Sequence, residues 1–160
     1  MLVTIAVASV YSDSLLKTLS NTLTMVQIIG KYEHESSEGL EAYLKTVGGV
    51  ENQEASKAFS QGKPTLEISQ SGDHWIITVS NEGKSSTTKF TLGTPYDETM
   101  PHGLTLKSVT TRDGNKFITV SDLPDGNKSI RVYEFTDTGI TVHLSENKHG
   151  VKAVRTYKRI

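Results

Sequence analysis

Apolar and polar positions change their period along this chain, and the changes mark its elements. After Asp13, Leu15, Leu16, Leu19 and Leu23 recur at helical spacing, with Ser12 or Asp13 placed to cap a helix start. From residue 28 the pattern reads as one strand, two short helices and then strands to the end. Leu40, Tyr43, Leu44 and Val47 follow the 3.6-residue period; Ser36 or Ser37 is placed to cap that helix and Gly48 with Gly49 to stop it. A second helix is expected over residues 51–59. Gln61, Gly62 and Pro64 end it, because proline cannot continue a helix and biases the residue before it toward extended conformations.

Beyond Pro64 the pattern is that of strands. Residues 65–69 and 75–80 flank Ser71-Gly72-Asp73 as a hairpin. Residues 87–92, 104–110, 116–121, 129–135, 139–145 and 151–158 are further short β-prone runs. Turn sequences at 112–115 (Arg-Asp-Gly-Asn), 124–127 (Pro-Asp-Gly-Asn) and 136–139 (Thr-Asp-Thr-Gly) separate them. Short strands joined by tight turns make an antiparallel meander. Closing it into a barrel removes its exposed edges and, with eight or more strands, leaves room for a small ligand. The expected class is all-β, in two parts: an N-terminal extension over residues 1–27 and a barrel domain over 28–160.

Composition narrows the chemistry. Lysine plus arginine number 17 against 18 acidic residues, so overall charge calls for neither nucleic acid nor an anionic membrane as partner. There is no cysteine, which removes disulfides and thiolate metal sites and fits a reducing compartment. The five histidines show no paired ligand spacing, and there is no nucleophile elbow and no phosphate-binding loop. No catalytic residue, metal or cofactor is expected. Residues 2–10 form an apolar run that partly resembles a secretory signal but lacks a preceding Lys or Arg. A packed helical extension, a cleaved signal and a start at Met25 remain open.

At residues 30–45, GKYEHESSEGLEAYLK, the chain resembles the opening signature of the intracellular lipid-binding proteins, the family of fatty-acid-binding and cellular retinoid-binding proteins. Lys63-Pro64-Thr65, LGTPYDET (92–99), LKSVTTRDGNK (106–116) and VRTYKRI (154–160) fall where that family has similar stretches. The resemblance implies a ten-stranded antiparallel up-and-down β-barrel (a clam) of calycin type, with a helix-turn-helix lid between the first two strands. It implies a cytoplasmic, monomeric carrier, not an enzyme, that holds a long-chain fatty acid or similar apolar carboxylate inside the barrel. Membrane contact would be transient and made through the lid. Arg155 and Tyr157 match the family's Arg-x-Tyr carboxylate clamp. The second clamp arginine aligns with Tyr133, with Arg131 two residues earlier on the same face, and either residue could serve.

Portal and lid positions are Leu40, Tyr43, Leu44 and Phe59. Leu40 stands for the usual aromatic residue, Phe59 for a small one, and Leu104 for a third arginine. Alternative readings are a retinoid-type or other hydrophobic-ligand binder, or a secreted barrel with weak ligand binding. Since residues i and i+2 of a strand share a face, Arg155 and Tyr157 must point the same way. Trp75 is expected to be packed or lid-facing in its hairpin rather than a binding platform.

Overall fold

A computed structural model describes residues 26–48, 61–99 and 105–160. Within them lie ten strands and one helix: β1 (Gly30–Glu38), α1 (Leu40–Gly48), β2 (Thr65–Ser71), β3 (His74–Asn81), β4 (Lys84–Thr91), β5 (Tyr96–Thr99), β6 (Thr105–Asp113), β7 (Lys116–Asp122), β8 (Lys128–Phe135), β9 (Gly139–Glu146) and β10 (Lys152–Arg159). The expected N-terminal extension up to residue 25, the second helix with Phe59, and Leu104 fall outside the described residues.

All ten strands belong to one antiparallel sheet ordered β4-β3-β2-β1-β10-β9-β8-β7-β6-β5. First and last strands pair, with Tyr32 opposite Arg159 and His34 opposite Tyr157, so the meander curls into a nearly closed barrel. The sheet ends at β4 and β5, where Phe90 and Tyr96 stack across the gap with ring centroids 5.2 Å apart. Arg159 fastens the start of β1 to the end of the chain: it donates to the Ile29 carbonyl and the Tyr32 hydroxyl, and its guanidinium lies 4.9 Å from the Tyr32 ring centre.

Alternation fills the interior. Phe117, Phe135, Ile140, Tyr32 and Ile68 are essentially excluded from solvent. With Trp75 and Phe90 they form the aromatic core at the end of the barrel away from α1, through edge-on contacts such as Trp75 to Phe117 at 5.0 Å. Trp75 is thus packed in the core. At the other end, Leu40 and Tyr43 of α1 pack on Ala153, beside Leu44, Val47 and Leu144. The helix therefore lies across the mouth formed by β9 and β10.

Two local expectations are corrected. Ser36 and Ser37 do not cap α1, because β1 continues through them, with Ser36 opposite Thr156 and Ser37 opposite Arg155. Their hydroxyls are engaged there instead of at the helix, Ser36 Oγ with Thr156 Oγ1 and Ser37 Oγ with His34 Nε2 at 2.8 Å. The helix opens instead at Gly39, whose carbonyl accepts from the Tyr43 amide at 3.2 Å. Gly39 has φ +70°, and a Cβ there would stand 2.8 Å from the Lys152 carbonyl, so only glycine suits the corner. Strand β4 begins at Lys84, three residues earlier than its apolar pattern suggests, because the Glu82-Gly83 turn closes a hairpin through polar Ser85, Ser86 and Thr87.

One turn is built around a carboxylate. Glu146, only 3% exposed, accepts from the backbone amides of Lys148, His149 and Val151 and from the Asn127 side chain at 2.6 Å. Burial raises its pKa, but these donors outweigh burial and hold the carboxyl at about 2 against an ordinary 4.5. A depressed carboxyl adds stability that is complete above its unfolded pKa and is lost as pH falls through its folded one. The thermal midpoint is therefore expected to fall between pH 4.5 and about 2, and Glu146→Gln should flatten that decline. Melting curves across this range check it; an unchanged slope in the variant would assign acid lability to another group.

Candidate functional site

The barrel encloses a cavity of about 180 Å³. One wall is apolar, from Leu66, Ile77 and Val79 on β2 and β3 and Val142 and Leu144 on β9. The facing wall is polar: Thr110, Thr119, Ser129, Glu98, Arg131 and Tyr133 line it from β5 to β8. Buried hydroxyls there satisfy one another, Ser108 with Ser121 and Thr110 with Thr119, each at 2.7 Å.

On β10, Arg155 and Tyr157 both face inward, 4% and 7% exposed, so their shared face is the interior. Arg155 Nη2 donates to the Gly62 carbonyl at 3.1 Å, and its guanidinium carbon lies 5.8 Å from the Tyr157 ring centre. Burial lowers the arginine's pKa, with Tyr157 opposing, yet a guanidinium stays charged at any physiological pH. Burial pushes the Tyr157 hydroxyl up to about 12 despite the neighbouring arginine, so it is a neutral donor. His34 lies edge-on to Tyr157; burial and the Arg155 and Lys63 charges press its pKa below the usual value.

The two candidates on β8 both face the cavity, but their surroundings differ. Tyr133 stands opposite Val142, which in turn stands opposite Arg155, so tyrosine and arginine occupy one row across three strands. Arg131 is one row away, opposite Leu144, and is already engaged. Its Nη1 and Nη2 donate to Glu98 Oε1 and Oε2, each at 2.6 Å, in a two-pronged ion pair with both side chains about one-tenth exposed. Longer contacts reach the Tyr133 hydroxyl at 3.4 Å and Ser121 Oγ at 3.3 Å. Burial disfavours the Arg131 charge, but Tyr133, Glu98 and Tyr96 outweigh it and raise its pKa. Burial also raises the Tyr133 hydroxyl, against the pull of Arg131.

Of the portal positions, Leu40, Tyr43 and Leu44 line the same cavity as the clamp candidates. Burial raises the Tyr43 pKa; a hydrogen bond with Ser129 and the Arg131 charge oppose it, so the helix reaches the polar wall. Among the described residues no cluster of His, Asp and Glu is arranged to hold a metal, and no helix is long and apolar enough to cross a membrane.

A family model described as lipocalin / cytosolic fatty-acid binding protein family matches residues 29–160. The chain belongs to this family. A fatty acid-binding protein of Tyrophagus putrescentiae is 34% identical over 137 residues, covering 84% of this chain and 99% of its own. Sodium/calcium exchanger regulatory protein 1 of Doryteuthis pealeii is 34% identical over 134 residues, covering 83% and 96%. The solved structure of a fatty acid-binding protein in brain tissue of Drosophila melanogaster superposes with a TM-score of 0.70 at 32% identity, covering 82% of this chain and 99% of that one.

Two residues of the cavity went unread in the sequence, Glu98 and Tyr96. Both lie in the LGTPYDET segment, which has too few apolar residues to display a strand period, and β5 spans four residues. Their i, i+2 spacing puts them on one face, but only the fold brings that face against Arg131. Tyr96 shares a hydrogen bond with Thr110 at 2.8 Å, and burial lifts its pKa to about 12.

Proposed function

We propose that this protein is an intracellular carrier of a long-chain fatty acid, with the acyl chain in the barrel cavity and the carboxylate held by Arg155, Tyr157 and Tyr133. The observation that carries the reading is Arg155: a permanently charged fork, 4% exposed and lining the cavity of a fatty-acid-binding barrel. A guanidinium matches a carboxylate with two parallel hydrogen bonds, and tyrosine hydroxyls that stay protonated can donate more. Affinity would come mainly from the chain, where ~14 methylenes at about 0.8 kcal/mol each contribute on the order of 11 kcal/mol before ordering costs. The head-group contacts would select and orient, since pairing a buried charge returns little more than its desolvation takes.

The test is displacement of a fluorescent fatty acid from delipidated protein. Saturable binding is expected; none at all from a sample with intact β circular dichroism would sink the carrier reading. Within the proposed clamp, Tyr133→Phe removes one hydroxyl and is expected to weaken acid binding by about 0.5–1.5 kcal/mol. Isothermal titration with oleic acid and oleyl alcohol reads that loss. Tyr133 is the second contact if the loss falls on the acid alone, and plays no part if neither ligand is affected.

A further inference from the structure

One buried acid in the cavity is left unused by the proposed clamp. Glu98 is 8% exposed, lines the same cavity as Arg155 and Tyr157, and spends both oxygens on Arg131 at 2.6 Å. Tyr96, Thr110 and Ser121 complete its surroundings through the Tyr96 hydroxyl, which reaches Glu98 at 3.4 Å and Thr110 at 2.8 Å, and the Ser121 contact of Arg131. The Glu98 carboxylate therefore meets the two outer nitrogens of the fork as a ligand carboxylate would.

We infer that Glu98 is a built-in counter-anion that masks Arg131, making it a specificity-determining residue: it denies Arg131 to an acid and leaves the head group to the Arg155 side of the cavity. The inference rests on the reading of the cavity as a fatty-acid site. A ligand acid approaching Arg131 would have to displace Glu98 or share one cation with a second carboxylate, and like charges that close disfavour each other's ionised form. The ion pair is neutral as a unit, so it accepts an apolar or hydroxylated stretch of ligand more readily than an anion. Row geometry agrees: Tyr133, and not Arg131, stands level with Arg155.

Removing the mask should expose the cation. Glu98→Gln frees the Arg131 fork, and oleic acid should bind about tenfold to a hundredfold more tightly, as expected for a new charge-assisted pair. Oleyl alcohol, which brings no charge, should change less than about threefold on the same scale. The double variant Glu98→Gln with Arg131→Gln removes both charges together, and its oleic acid affinity should return to that of the wild type.

Isothermal titration of the wild type and both variants with the two ligands decides the matter, with circular dichroism of each sample to show an intact barrel. Acid binding that is unchanged or weakened in Glu98→Gln would overturn the mask and make Glu98 a support that positions Arg131. A double variant binding acid far more weakly than the wild type would equally overturn it, since Arg131 would then serve the ligand in the native protein. If Glu98→Gln folds poorly, the double variant still gives this second comparison. A wild type that binds neither ligand defeats the carrier reading, whereas the ratio between variant and wild type tests the mask alone.

Discussion

Arg131→Gln is expected to lower the unfolding free energy by about 3–5 kcal/mol, the range for breaking one side of a buried ion pair. The loss arises from what stays behind. Glu98 is only 8% exposed, and without the fork its carboxylate keeps just the long contact to Tyr96 at 3.4 Å. A carboxylate left in a buried site without its partner raises the energy of the folded state. Urea denaturation at neutral pH measures the change. Removing Glu98 as well should recover much of it, because the cost belongs to the unpaired charge, and the double-mutant cycle should give a coupling energy above about 1 kcal/mol. A single-variant loss below about 1 kcal/mol would mean the pair behaves as a solvated surface bridge, in disagreement with its burial.

Arg155→Gln is expected to weaken oleic acid binding by about 2–4 kcal/mol, roughly 30-fold to 1000-fold. Oleyl alcohol binding should change far less. A glutamine keeps an amide donor on the same face but carries no charge, so the acid loses its charge-assisted partner while the alcohol does not. The measured quantity is the acid-to-alcohol affinity ratio by isothermal titration. Equal losses for both ligands would show that Arg155 acts through packing of the barrel mouth, and the clamp would have to be given up. Arg155 and Glu98 thus make opposite predictions for the same titration: removing the first loses the acid, removing the second gains it.

Much of the fold was legible because strand and turn chemistry is local. The turns at Ser71-Gly72-Asp73 and Asp113-Gly114-Asn115 carry residues suited to reversing the chain, and the structure turns there, with Gly72 at φ 64° and Gly114 at φ 57°. The apolar period of Leu40, Tyr43, Leu44 and Val47 gave the helix and its buried face. Ser36 and Ser37 were misread for a reason equally physical. Their side chains suit a helix cap, but pairing with Thr156 and Arg155, more than a hundred positions away, decides that they finish a strand. Strand β5 was not legible as a strand, since four residues with one inward tyrosine and one inward glutamate show no apolar alternation.

What the sequence by itself determined is therefore whatever backbone geometry settles within a few residues: the alternation of strand faces, the tight turns, and that Arg155 and Tyr157 must point the same way. The tertiary structure decided which way that is, and which charge meets which. Arg131 and Glu98 lie 33 positions apart on strands β8 and β5, and neither neighbourhood announces the other. Their meeting depends on the register of every intervening ladder, from Tyr96 opposite Ser108, through Ser108 opposite Ser121, to Thr119 opposite Arg131. A slip of one residue in any of these would turn a whole strand's side chains to the other face. Local propensity cannot encode that sum of registers, because it is fixed only when the barrel closes and its interior is packed.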